Sequence, residues 1–213
     1  MIFHDIDQNT EEWLQLRSAK VTGSGVSKIM ANLGKAFGDP AKKYASQIAL
    51  ERITGKYISS GYSNDHMDRG HEQEPLARTA YEEKHFCTVT NGGFFDLDDL
   101  GCSPDGLVDD DGMIEIKSVI PSVHFVNVKR QSFDPAYEWQ LIFNLKCTGR
   151  EWIDSISYCA DYPDDQNLFV FRLHKDHFKK EFDLLDGRIK DFLELVEESK
   201  QAIMTSKYFI RSR

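Results

Sequence analysis

With 213 residues, 40% of them hydrophobic, 12% aromatic and 29% charged, the chain has the composition of a globular protein and not of a disordered one. At roughly 150 residues per domain this length favours one large core that needs no disulfide or metal staples. The 26 basic and 35 acidic residues leave a formal charge of −9, which argues against a generic basic nucleic-acid coat but not against an enzyme whose carboxylates hold metal ions.

The chain starts Met1-Ile2-Phe3-His4-Asp5, acidic where a secretory signal is basic, and no apolar run reaches the ~18 residues of a membrane span. An intracellular protein is expected. Thr10 caps a helix over Glu11 to Ser18, and Thr22-Gly23-Ser24 opens a second short one. Asp39-Pro40 predicts a helix to about Ile53, stopped by Gly55. Asn64 to Lys84 predicts another, with Pro75 marking a kink or the true start.

From Val89 the apolar period becomes two. Phe94-Phe95 with Leu97, Cys102 to Val108 and Met113 to Val119 are predicted strands, the last two joined by the turn Asp110-Asp111-Gly112. A helix over Val123 to Arg130 follows, then one capped by Asp134-Pro135 that runs to Cys147 and stops at Thr148-Gly149. Trp152 to Cys159 and Leu168 to Leu173 alternate as strands, and Asp176 to Lys207 predicts a long amphipathic helix. The pattern is mixed α/β, a small central sheet flanked by helices.

The four cysteines, Cys87, Cys102, Cys147 and Cys159, are spaced too widely for a zinc ribbon or a C-x-x-C pair and are expected to be reduced. The seven histidines show no ligand spacing, and Asp109 to Asp111 are expected to be solvated turn residues. Chemistry concentrates in Ser103-Pro104-Asp105-Gly106 followed by Glu115-Ile116-Lys117. Residues i and i+2 of a strand share a face, so Glu115 and Lys117 point together and Ile116 points away. A tight hairpin brings Asp105 towards Glu115, and converging carboxylates repel unless a cation lies between them or one is protonated. An all-oxygen donor set suits Mg²⁺ or Mn²⁺. The flanking Ile114, Ile116, Val119 and Ile120 mark a buried strand, where a charge is costly unless paired or metal-bound.

Four blocks in order carry a resemblance: Trp13-Leu14-Gln15-Leu16-Arg17 with Val21-Thr22-Gly23-Ser24, Arg69-Gly70 with Glu74-Pro75-Leu76-Ala77-Arg78, the Asp105…Glu115-x-Lys117 core, and Tyr137 with Gln140. Over about residues 10 to 205 the chain resembles the lambda-type phage exonucleases and YqaJ-like viral recombinases of the PD-(D/E)XK nuclease superfamily. The resemblance implies a restriction-endonuclease-like α/β core with a small central mixed β-sheet, in a single exonuclease domain spanning 1–213. It implies two Mg²⁺ ions, with Mn²⁺ as a possible substitute, held by Glu74, Asp105, Glu115 and the carbonyl of Ile116, with Lys117 activating water and Gln140 orienting it. Arg17, Ser24 and Ser103 match a 5′-phosphate pocket, and Met67 matches an apolar wedge that splits the terminal base pair. Which of Asp96, Asp98 or Asp99 adds a further acid is left open by the spacing.

The activity implied is 5′→3′ digestion of one strand of linear duplex DNA to mononucleotides, leaving a 3′ overhang. A homotrimeric ring, with Lys35, Lys42, Lys43 and Arg69 as candidates for its channel, is also implied. So are a phage single-strand annealing protein as partner and a phage or prophage origin, acting in the bacterial cytoplasm. Blander roles remain for each residue: an N-cap for Ser24, an ion pair with Glu12 for Arg17, an i,i+4 pair for Glu74, a solvated Gln140 and a core Met67. The rival functions are a structure- or site-specific endonuclease of the same fold and a catalytically inactive DNA-end-binding module.

Overall fold

The computed structural model describes residues 1–59 and 65–206, without the side chains of 65–68. Asn64, Lys207 and the side chains of His66 and Met67 therefore lie outside the described residues. The chain runs β1 (Ile2–His4), α1 (Glu11–Arg17), β2 (Val21–Thr22), α2 (Gly23–Met30), α3 (Asp39–Thr54) and α4 (Asp65–His85). Five strands follow: β3 (Val89–Thr90), β4 (Phe94–Leu97), β5 (Leu100–Cys102), β6 (Gly106–Val108) and β7 (Gly112–Ser118). The rest is α5 (Pro121–Arg130), α6 (Glu138–Thr148), β8 (Trp152–Tyr158), β9 (Leu168–His174) and α7 (Lys179–Thr205).

The helix signals hold at most ends. Thr10 accepts from the Trp13 N–H at 3.2 Å, and Gly55 and Gly149 close α3 and α6 in the left-handed conformation that a glycine adopts without strain. Asp39 is the first residue of α3 and not its cap, which is Gly38. Asp134 does cap, accepting from Ala136 at 2.9 Å, but what it caps is a 3₁₀ turn over Pro135–Tyr137 that precedes α6. α4 continues through Pro75, which therefore does not mark its start.

The strands depart from the expected single sheet. Among the described residues the strands form two mixed sheets, one ordered β1-β4-β5-β2 and one ordered β3-β6-β7-β8-β9. The expected strand Cys102 to Val108 is divided between them, because the chain leaves β5 at Ser103 and re-enters pairing only at Gly106. Pro104 has no N–H to give a ladder. Asp105 still donates its own N–H to Ile114 O at 3.1 Å, while its carboxylate Oδ2 takes the Ile116 N–H at 2.6 Å. A side chain thus replaces backbone in the ladder, and the two halves of the segment diverge into different sheets. The strands β1, β2 and β3, of three, two and two residues, are too short to show a period.

β7 is central: antiparallel to β6, and parallel to β8 over the full register Gly112↔Trp152 to Ser118↔Tyr158. Its alternation sorts the core. Met113 packs with Ile153, α6 and α7 on one side. Ile114 and Ile116 pack with Ile156 and with Ala77 and Tyr81 of α4 on the other. Glu115 and Lys117 therefore face the α6 side, as the period of two requires. The four cysteines are free, and Cys102, Cys147 and Cys159 are buried. Among the described residues no helix is long and apolar enough to cross a membrane.

Candidate active site

Strand β7, the Ser103–Asp105 linker, α4, α6 and the α1–α2 segment meet around a cleft of about 320 Å³. Glu74, Asp105, Glu115, Ile116, Lys117 and Gln140 line it together with Arg17, Ser24 and Ser103. Every candidate for the hydrolytic centre or the phosphate pocket whose side chain is described is therefore brought to one place, the undecided acid among Asp96, Asp98 and Asp99 excepted.

Glu115 is the most enclosed of the acids lining the cleft, 2% exposed. Its Oε1 accepts from Lys117 Nζ at 2.7 Å and from Gln140 Nε2 at 2.5 Å. Its Oε2 accepts from Asn144 Nδ2 at 3.0 Å. Gln140 is thus no solvated side chain. Asn144 was missed in the sequence; its signal is a place one helical turn after Gln140, on the same face of α6. Lys117 Nζ also lies 4.7 Å from the centre of the Tyr137 ring, on a face that favours a cation.

Glu74, on α4, pairs with Arg78 one turn on at 3.5 Å, the bland role, while also reaching the cleft. The same Arg78 donates to the carbonyl oxygen of Asp105, so α4 pins the loop that carries the second acid. Burial lifts the Asp105 carboxyl well above the usual carboxylate range, and nearby Glu115 lifts it further. Glu74 is raised as well, by burial first and by Glu115, with Arg78 opposing. Burial pulls the Lys117 ammonium down, but Glu115 and Asp105 more than reverse this and hold it above its ordinary value.

These directions share one cause, a concentration of negative charge in a place with little water. The donor set is oxygen only, two carboxylates joined by adjacent β-strand backbone with a third on α4, which is the chemistry of a hard divalent cation. Even so, among the described residues no three His, Cys, Asp or Glu side chains close on a single point. The expected convergence of Glu74, Asp105 and Glu115 is a shared cleft and not a closed three-acid group. Asp105 is turned onto the Ile116 N–H and Glu115 onto three donors, which keeps the charges apart.

The other end of the cleft is basic. The Arg17 guanidinium lies 4.1 Å from the centre of the Trp13 ring and donates to Ser24 Oγ at 3.1 Å. Among the described residues no carboxylate pairs with it, Glu12 included, and burial lowers its pKa. Ser24 belongs to the first turn of α2, whose N-cap Thr22 makes no side-chain cap; the helix start therefore presents open N–H groups to the cleft. Ser103 is committed elsewhere: its hydroxyl donates to Gly93 O and accepts from Trp13 Nε1 at 2.7 Å. It braces Trp13 and has no further proton to give an anion.

The remaining candidate acids and bases do not line the cleft. Asp96 pairs with Lys20 at 2.7 Å and Asp99 with Arg52 at 2.6 Å, and neither they nor Asp98 line it. Lys35, Lys42 and Lys43 are exposed and Arg69 is half-buried.

Residues 12–151 match the YqaJ-like viral recombinase domain. Among solved structures, an alkaline exonuclease from Laribacter hongkongensis (LHK-Exo) is 32% identical with a TM-score of 0.80, over 92% of this chain and 96% of that one. LHK-Exo in complex with dAMP gives 32% and 0.77, over 92% and 98%. A phage-related exonuclease from Haemophilus somnus 129PT is 13% identical with a TM-score of 0.64, over 90% and 98%, a likeness of fold alone. No curated protein matches the chain.

Proposed function

Because the chain belongs to the YqaJ-like viral recombinase family and is a DNA exonuclease, we propose that it digests one strand of linear duplex DNA 5′→3′ in a Mg²⁺-dependent reaction. Mononucleotides leave, and a 3′ single-stranded overhang remains for phage-type recombination. The observation that carries this reading is one cleft holding Asp105, Glu115 and Lys117 at one end and Arg17 with the α2 N-terminus at the other. A hydrolytic centre and an anion receptor within one small cleft suit a terminal nucleotide with its 5′-phosphate.

Asp105, Glu115, the carbonyl of Ile116 and, from α4, Glu74 are the groups to hold Mg²⁺, two ions in our reading, with Mn²⁺ as a substitute. When bound, Mg²⁺ supplies charge neutralisation at the scissile phosphate and makes water a better nucleophile. The protein's own part is positioning and electrostatics. Gln140 and Asn144 fix the Glu115 carboxylate from α6, and Arg78 fixes the Asp105 loop from α4. Lys117, charged beside Glu115 and Asp105, orients the attacking water and stabilises the negative charge that grows on the phosphoryl oxygens. Arg17, Ser24 and the open N–H groups of α2 receive the 5′-phosphate, an anion that a planar guanidinium fork grips well. Ser103 supports this pocket through Trp13. Met67, on α4, is the wedge at the terminal base pair.

In this reading the whole chain is one exonuclease domain. It works in the cytoplasm of a bacterial host as a homotrimeric ring, alongside a phage single-strand annealing protein. Linear duplexes labelled at one end, incubated with Mg²⁺ or with EDTA beside covalently closed circles, test the reaction. Expected are labelled mononucleotides from 5′-phosphorylated ends, none in EDTA, and intact circles. Cut circles make it an endonuclease; no release under any condition makes it an end-binding module.

A further inference from the structure

Neither Tyr44 nor Glu51, both on α3, lines the cleft. Yet these two buried polar side chains, about two helical turns apart and so on one face of the helix, hold the segment that does. The Tyr44 hydroxyl accepts the Thr22 N–H at 3.0 Å and lies 3.3 Å from both Lys20 O and Thr22 Oγ1. A phenol has one proton and can serve one of those two oxygens while accepting from the amide. Thr22 Oγ1 is in turn 3.4 Å from Ser24 Oγ, which accepts from Arg17 at 3.1 Å. A continuous hydrogen-bonded line thus joins a fully enclosed phenol to the guanidinium at the anion pocket.

The same helix also clamps the turn between Arg17 and Val21. Ala19 adopts φ +63°, a left-handed conformation that is costly for a side chain with a Cβ. Its N–H donates to Glu51 Oε2 at 2.7 Å, and its carbonyl accepts from Arg52 Nε at 3.3 Å. Glu51 is 3% exposed and takes two more donors, Gln47 Nε2 and the Ile58 N–H, both at 3.1 Å. The fit is close: a Cβ on Gly25 would stand 2.4 Å from the Tyr44 ring. α2 can lie over that ring only because the residue there is glycine.

We propose that Tyr44 is a positioning residue for recognition of the 5′-phosphate: from an α3 anchored by Glu51 and Arg52, its hydroxyl sets Thr22, and so Ser24 and the first turn of α2, in register with Arg17. The inference rests on the reading of Arg17 and Ser24 as the phosphate receptor. Converging donors recognise a dianion only while they converge, so loss of this anchor blurs the receptor. Asp105, Glu115 and Lys117 are held from other elements and keep their geometry.

The test compares kcat and KM on duplexes ending in 5′-phosphate and in 5′-hydroxyl for wild type, Tyr44→Phe and Thr22→Val, with thermal unfolding of each. Tyr44→Phe removes one oxygen and keeps the ring. Its preference for the phosphorylated end should fall about tenfold, the effect of one lost hydrogen bond at a buried amide. The change should come mainly through KM, with the rate on 5′-hydroxyl ends unaltered. Thr22→Val keeps the amide bond and breaks only the relay, and its preference should shift the same way. A folded Tyr44→Phe with wild-type preference, or with equal losses on both ends, overturns the proposal; should Tyr44→Phe fail to fold, unchanged preference in Thr22→Val overturns it. A wild type that shows no preference removes the phosphate pocket itself, and this inference with it.

Discussion

Asn144 lies so close over Gly23 that a Cβ added to the glycine would stand 2.8 Å from Asn144 Oδ1. One residue opens α2, at the anion end of the cleft; the other donates to Glu115 at the hydrolytic end. Among the described residues the buried Asn144 Oδ1 has no hydrogen-bond partner, so its amide is held by shape and by its bond to Glu115. Both halves of the site are built against this contact.

Gly23→Ala should therefore disturb hydrolysis without touching a reacting group. The added methyl displaces Asn144, at about 1–3 kcal/mol of overpacking. Asn144→Ala leaves Glu115 Oε2 without its donor, at a cost of about 1–3 kcal/mol. In both variants kcat should drop about tenfold while the preference for a 5′-phosphate survives in Asn144→Ala. Steady-state kinetics beside thermal unfolding will show it; wild-type kcat in a folded Asn144→Ala would remove its positioning role.

Asp105→Asn separates catalysis from stability. A carboxyl whose pKa is raised in the folded state destabilises the fold once it must lose its proton: the penalty is absent below the unfolded pKa, grows as pH rises between the unfolded and the folded value, and is constant above the folded one. Near neutral pH without divalent cations, the asparagine variant should be at least as stable as wild type, because its side-chain oxygen can still accept from Ile116. It should release no nucleotide. Mg²⁺ should stabilise the wild type by about 2.7 kcal/mol at a hundredfold excess over Kd, seen as a rise in Tm, and leave the variant unmoved. An equal Mg²⁺ response in both would place the ion elsewhere.

Lys117→Met tests the charged-donor role. Glu115 retains Gln140 and Asn144, so the protein should fold, somewhat less stable for want of a positive charge among three acids. Nucleotide release should fall at least about a hundredfold, the usual effect of losing one preorganised electrostatic contact. Single-turnover digestion reads the chemical step directly, and retention of more than a tenth of the rate would contradict the assignment.

For Arg17, alanine and lysine variants should part company with wild type on phosphorylated ends alone. Lysine keeps the charge but lacks the planar fork, so its preference for 5′-phosphate should be intermediate. Alanine should show none. The ratio of initial rates on the two kinds of end is the measurement, and a preference that persists in Arg17→Ala would shift the receptor to the α2 N–H groups.

How much of this was legible in the chain depends on whether the signal was local. The period of two through Met113, Glu115 and Lys117 assigned faces of β7 correctly, and Thr10, Gly55 and Gly149 fixed helix ends, because such rules need only neighbours in sequence. The motif around Asp105 and Glu115 located the cleft. The roles of Asn144 inside it and of Arg78 and Tyr44 behind it were invisible, since their partners lie 29, 27 and 22 residues away. Ser103 lines the cleft, but nothing near it in sequence says that Gly93 and Trp13 would occupy its hydroxyl.

The amino-acid order by itself determined the kinds of element, the side of the strand that carries the chemistry and the family of the chain. Only the folded molecule decided that one sheet becomes two, where the Asp105 carboxylate takes a backbone partner's place and sends the strand elsewhere. It alone decided, too, which donors restrain each acid. Hydrogen bonds and charges act over a few ångströms in space whatever the distance along the chain, so these outcomes follow from packing and not from spacing.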